Sequence, residues 1–268
     1  MVVRGRWPKA IFYDSKGTLF NWAWTWKRTA EELVSRYAPE VSAQEFLQDW
    51  VTLFEGFHRR AAFRGYADFF GVLVRDALAV ACRLYRISVD AEEGLRILTG
   101  LQAQVEPFPD VPQALRRQKE LGVRVIVFSD VERRYLDLYL RRLPGFKPDF
   151  VGTTEEARIQ KPNPRVYRWV LRRVGLEERD VLYCAGPQFD VQGAMAAGMK
   201  AAWVRRPEGR LDTSEGDLPP DYEVRDLLEL TDLVAQNLGV GAGYVTSPRR
   251  SRGRPLPSAG GSDAPGVG

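Results

Sequence analysis

Residues 10–18 read Ala-Ile-Phe-Tyr-Asp-Ser-Lys-Gly-Thr: an apolar run from Ala10 to Tyr13, with Lys9 before it and a polar, glycine-containing turn after it. A short apolar run closed by turn residues predicts a buried strand that delivers its last residues into a loop. The pattern returns at 123–128, ending in Ser129-Asp130, at 150–152, at 181–185, ending in Gly186-Pro187, and at 200–204. Helical patterns lie between these runs, at 111–121, 132–140, 164–174 and 189–197. Strands alternating with helices imply an α/β fold with a doubly wound parallel sheet. Ligands of such sheets bind beyond the carboxyl ends of the strands, where Asp14, Ser129 and residues 186–190 fall.

Residues 21–104 separate the first strand from the rest and are helical in period throughout. Tyr66, Phe69, Phe70, Leu73, Val74, Ala77, Leu78, Ala81 and Tyr85 are spaced by threes and fours over a run too long for a strand. The expected organisation is a core of residues 1–20 and 105–240, an all-helical cap of residues 21–104 above the first loop, and a flexible tail at 241–268. That tail holds seven Gly and four Pro in 28 residues.

The net charge is +4, and Arg249, Arg250, Arg252 and Arg254 against Asp263 place +3 of it in the tail. The body, at +1, lacks the basic field that drives nucleic-acid binding. No apolar run approaches the ~20 residues of a membrane span, and the start does not read as a signal peptide, so a cytoplasmic protein without nucleic-acid or membrane partners is expected. Cys82 and Cys184 belong to no metal-ligand spacing and read as buried thiols. With His58 as the sole histidine, a two-histidine zinc site or an HExxH helix is impossible and a Ser-His-Asp triad improbable; acid-base work falls to carboxylates, lysine or water. His58 itself reads as a surface or packing residue.

A carboxylate on a tight loop can act as a covalent nucleophile at neutral pH without deprotonation, which singles out Asp14. Thr18 shares its loop; Ser129 can donate a hydrogen bond, Lys161 can supply positive charge, and Asp190 can orient that lysine or bind a cation. Taken singly, an Asp after a strand is more often a turn or cap residue, and Lys161 is by default a solvated surface charge.

The segments IFYDSKGTLF (11–20), VIVFSD (125–130), QKPNPRVY (160–167) and LYCAGPQFDVQGAMAAG (182–198) resemble, in this order, the four motifs of the haloacid dehalogenase superfamily, over roughly residues 10–234. DxxGTLF, KPxxRVY and the cap segment RGYADFFGVLVRDALAVAC (64–82) are most similar to the type II L-2-haloacid dehalogenases. The resemblance implies a hydrolase in which Asp14 displaces halide from C2 of a short 2-haloalkanoic acid and water then cleaves the aspartyl ester. Thr18 and Ser129 would hold the substrate carboxylate, Lys161 and Asp190 would position Asp14 and the water, and Ser15, Lys16, Asp130, Tyr167 and Arg60 would contact substrate. It implies a small-molecule substrate and no cofactor or metal, with homodimerisation left open.

The departures are specific. Phosphatases of the superfamily place a general-acid Asp where this chain has Lys16, and dehalogenases an aromatic. A departing halide needs no proton, so the missing acid favours the dehalogenase; Lys16 reads either as a charge partner for Asp14 or Asp130, or as a substrate contact. Residues 185–188 replace the usual polar approach to Asp190, and Asp130 replaces an Asn, where it would ligate a metal or repel Asp14. The expected cap arginine falls near Val51, which leaves Arg59, Arg60 and Arg64 as stand-ins. Trp22 and Trp26 share a helix face, as core or as a substrate-facing wall. The alternatives are a magnesium-dependent phosphatase with a phospho-Asp14 intermediate, and a catalytically weak binding protein.

Overall fold

A computed structural model describes residues 7–207 and 217–240 of the chain; the tail expected at 241–268 lies outside the described residues. The elements run β1 (Ala10–Tyr13), β2 (Phe20–Asn21), α1 (Ala23–Tyr37), α2 (Ala43–Arg64), a π-helical turn (Phe69–Val74), α3 (Arg75–Leu84), α4 (Ala91–Gly100) and β3 (Glu106–Pro107). They continue α5 (Val111–Glu120), β4 (Arg124–Ser129), α6 (Arg133–Leu140), β5 (Phe150–Thr153), α7 (Thr154–Ala157), α8 (Pro164–Val174), β6 (Val181–Ala185), α9 (Gln188–Ala196), β7 (Lys200–Val204), β8 (Tyr222–Val224) and α10 (Leu227–Asn237).

Six strands form one parallel sheet in the order β5-β4-β1-β6-β7-β8. β1 is buried along its whole length, as a central strand covered on both faces must be. Alternation then sorts the side chains. Ile11, Tyr13, Val125, Val127, Leu182 and Cys184 face one layer, which runs on through Leu230 of α10 to Trp26, Trp50 and Phe70 beneath the cap. Ala10, Phe12, Ile126, Phe128 and Tyr183 face the other, with Val166 and Val170 of α8 and Val191 and Ala194 of α9. No helix among the described residues is long and apolar enough to cross a membrane.

The structure extends the expected architecture in four places. β8 is a short, partly exposed sixth strand with no apolar run to announce it. α10 begins at Asp226, whose side chain accepts from the Glu229 amide. β2 and β3 pair antiparallel, Phe20 with Pro107 and Asn21 with Glu106, and so join the chain leaving the core to the chain returning to it. The helix read from 66 to 85 runs from Phe69 to Leu84 but opens with a π turn, and Gly65, at φ +119°, separates it from α2.

Candidate active site

Asp14 leaves β1 with its amide bonded to Cys184 O at 3.2 Å, which ties the first loop to the adjacent strand β6. The loop is wound tightly: the amides of Leu19 and Phe20 both bond Ser15 O, at 2.9 and 3.0 Å, and Gly17 takes φ +66°, a value that favours glycine. Thr18 Oγ1 donates to Asp14 Oδ2 at 3.1 Å and accepts from the Gly186 amide at 2.9 Å. The Thr18 hydroxyl is therefore committed to the nucleophile candidate, not to a substrate carboxylate as the sequence had suggested. Arg206 secures the same loop, with Nε bonding Thr18 O at 3.0 Å and the fork closing on Asp110 at 2.8 and 3.1 Å. A Cβ on Gly186 would lie 1.9 Å from Gly17 O, so this departure from the motif is what lets the two loops meet.

Lys161 is fully buried and its amine uses all three protons: on Asp14 Oδ1 at 3.0 Å, on Asp190 Oδ2 at 2.9 Å and on Phe128 O at 2.8 Å. Burial alone would push its pKa down, but the fields of Asp14 and Asp190 win and hold it above the usual lysine value. Asp190 also accepts from Tyr183 at 2.8 Å and from Tyr167. Burial pushes its carboxyl up to about 6 against the pull of Lys161, which leaves it ionised at neutral pH. Tyr167, read from the sequence as a substrate contact, is instead a fully buried partner of Asp190. It reaches that place across Gly193, where a Cβ would lie 2.5 Å from its hydroxyl. Ser129 Oγ lies 2.5 Å from Ser15 Oγ and accepts from the Val131 amide at 3.1 Å.

A second polar cluster joins His58 of the cap to Asp130 and Gln160 of the core. His58, on α2, is buried rather than on the surface, with Nε2 3.2 Å from Asp130 Oδ2 and 3.0 Å from Gln160 Nε2. Gln160 donates to Asp130 Oδ1 at 2.9 Å. Burial raises the Asp130 carboxyl, but His58, Lys161 and Lys16 outweigh it and the net shift is downward, so Asp130 is not the carboxyl pushed up. Glu132 Oε1 accepts from the Phe70 amide of the π turn at 3.0 Å, and burial raises its pKa.

Lys16 is 6 % exposed, and its amine has no hydrogen-bond partner within the protein. It lies instead 2.8 Å from the ring centroid of Phe69, 4.5 Å from Trp22 and 5.7 Å from Phe70. Burial lowers its pKa to about 7, although Asp130, Asp14 and Glu132 pull the other way. The charge partner expected at this position is thus a wall of aromatic rings.

The cap arginines stay outside both clusters. Arg60 is exposed and stacks on Phe57, because it follows His58 by two residues and so points to the opposite side of α2; this removes it as a substrate contact. Arg59 pairs with Glu55 in solvent and Arg64 is exposed. Trp26 packs on Trp50 and Phe54 in the cap interior, whereas Trp22 turns to Lys16. Val51 joins the apolar interior.

Each of the four oxygens of Asp14 and Asp190 accepts a hydrogen bond from Lys161, Thr18, Tyr167 or Tyr183, and the Lys161 ammonium bridges the two carboxylates. Among the described residues, no group of three or more His, Cys, Asp or Glu side chains could hold a metal ion.

Sequence reading missed His58, Gln160, Tyr183, Phe69 and Arg206. Gln160, Tyr183 and Phe69 stood in quoted segments, but no local signal marks them, since their partners lie 7 to 188 positions away or are aromatic faces.

Known proteins resemble the chain over most of its length. The family model for haloacid dehalogenase-like hydrolases matches residues 11–204. The chain is 26% identical over 232 residues to an (S)-2-haloacid dehalogenase of Pseudomonas sp. strain YL, covering 84% of this chain and 94% of that one. It is 26% identical to (S)-2-haloacid dehalogenase 4A of Burkholderia cepacia, covering 86% and 96%. The solved L-2-haloacid dehalogenase of Xanthobacter autotrophicus with covalently bound chloropropionic acid superposes with a TM-score of 0.70 at 22% identity, covering 84% of this chain and 98% of that one. A central β1 that ends in a lysine-clamped carboxylate and a family match spanning all four motifs lead to one assignment: the chain belongs to the haloacid dehalogenase-like hydrolases.

Proposed function

We propose that the chain is a cofactor-independent 2-haloacid dehalogenase acting on short 2-haloalkanoic acids. The observation that carries this reading is Asp14 itself: a buried carboxylate aimed by Thr18 and Lys161, with a lysine where a phosphatase needs an acid. An Asp14 oxygen attacks C2, the C–halogen bond breaks, and the halide leaves with the bonding pair. Water then adds to the ester carbonyl carbon of Asp14. One of its protons goes to the departing alkoxide, giving the 2-hydroxy acid; the other is lost to solvent as Asp14 returns to carboxylate.

With Thr18 committed to Asp14, the substrate carboxylate falls to the Ser15 and Ser129 hydroxyls, which share one hydrogen bond and leave one proton free to donate. Lys161 holds Asp14 and is held by Asp190. Burial of the whole site keeps bulk water from competing with the first step. The two unpaired cysteines fit a reducing compartment such as the cytoplasm.

The test is chloride release from 2-chloropropionate with EDTA present, beside magnesium-dependent phosphate release from an aryl phosphate. Chloride release that survives EDTA and is abolished in Asp14→Asn is expected. Phosphate release alone would transfer the chain to the phosphatases.

A further inference from the structure

Lys16 is a buried cation of the site to which the proposed reaction gives no task. Its amine is enclosed, lies two residues from Asp14, and has no hydrogen-bond acceptor within the protein. Two more buried polar atoms without partners, Glu132 Oε2 and Gln160 Oε1, belong to core residues, of which Glu132 bonds the π turn and Gln160 bonds Asp130. Neither is a cation, so the cluster offers a positive charge that its own anions do not neutralise by contact.

We propose that Lys16 is the halide site of this enzyme, binding the ion that departs as Asp14 attacks. The walls argue for a halide over a carboxylate. Phe69 and Phe70 offer the amine no second donor, and Trp22 adds only the single N–H on its ring edge, not the parallel pair of donors a carboxylate prefers. A monatomic, weakly hydrated ion needs only the charge and a dry surface. No proton moves: the halide accepts the ammonium's hydrogen bond, and the site is ready again when the ion leaves. Lys16 also draws on the element that differs most from a regular helix, since Phe69 and Phe70 belong to the π turn. The arginines of α2, exposed or paired elsewhere, offer no competing cation.

The inference rests on the dehalogenase reading for the identity of the ion, but it can be tested without turnover. Trp22 lies beside the amine, so bromide bound there quenches its fluorescence with a saturable dependence, whereas collisional quenching of exposed indoles stays linear. Bromide is titrated into the resting enzyme at ionic strength fixed with sodium sulfate. Wild type is expected to show a saturable phase and a bromide-dependent rise in melting temperature. Lys16→Met should lose both, with the apparent dissociation constant raised at least tenfold. Trp22→Phe should lose the optical phase and keep the thermal one, which also shows that the pocket is intact.

A saturable phase in Lys16→Met with the wild-type midpoint overturns the proposal. So does a Lys16-dependent thermal shift with propionate and none with bromide, which would make Lys16 a carboxylate site. Chloride release without a Lys16-dependent bromide phase overturns the inference and leaves the reaction standing. A Lys16-dependent bromide phase without chloride release removes the reaction and keeps the halide site.

Discussion

Lys16 and Lys161 are both enclosed amines, and their surroundings drive them in opposite directions. Three oxygens hold Lys161 charged; rings and distance leave Lys16 about half charged at pH 7. A lysine whose folded pKa falls from 10.5 to about 7 binds fewer protons folded than unfolded across that window. Its destabilisation is therefore full below about pH 7 and vanishes as pH rises through 10.5. Lys16→Met is expected to stabilise the protein by a few kcal/mol, on the order of 1.4 kcal/mol for each tenfold loss of proton affinity, with urea midpoints diverging most near pH 7 and converging near pH 10. Asp190 gives a second pH dependence. As pH falls through about 6 its carboxylate takes up a proton and loosens Lys161, so kcat/KM should fall on the acid side of that value; Asp190→Asn should lower activity throughout and flatten this limb. At this scale the sequence was legible where chemistry and motif coincide, at Asp14 and Lys161. It was silent on Thr18 turning inward and on His58 being buried, because both are decided by partners distant in the chain.

Between elements, the cap is held to the core by a shared apolar cluster and by polar contacts at its edge. Asn163 Nδ2 bonds Ala62 O at 3.0 Å, the Gln160 amide bonds Gly65 O at 2.7 Å, and His58 meets Asp130, all at the carboxyl end of α2. His58→Leu removes one of Asp130's partners and should cost the ~1–3 kcal/mol of an unsatisfied buried group. Hydrogen exchange should quicken at the end of α2 and in the π turn while β1 and β4 keep their protection. Gly186→Ala is expected to be worse for activity than for folding. The new Cβ must push the first loop aside at Gly17, at the ~1–3 kcal/mol typical of overpacking, and chloride release should collapse although the urea midpoint falls only partway. The π opening at Phe69–Val74 escaped sequence reading because periodicity does not distinguish an α-helix from a π turn.

Over the whole molecule, the sheet was readable because β1, β4, β6 and β7 are nearly all apolar, as strands covered on both faces are. β8 and the β2–β3 pair were not, since strands of three and two residues are too short for a period to register. That small ribbon governs how a substrate enters. Asp14 is 6 % exposed, so every catalytic cycle has to part the cap from the core at least once. Both chain crossings run side by side through two paired residues on each strand. The cap is therefore hung from a single pivot and not from two independent tethers, and it must swing as one body. Friction with the solvent would then set the pace, and turnover should slow in proportion to added viscogen even though nothing in the chemistry has changed.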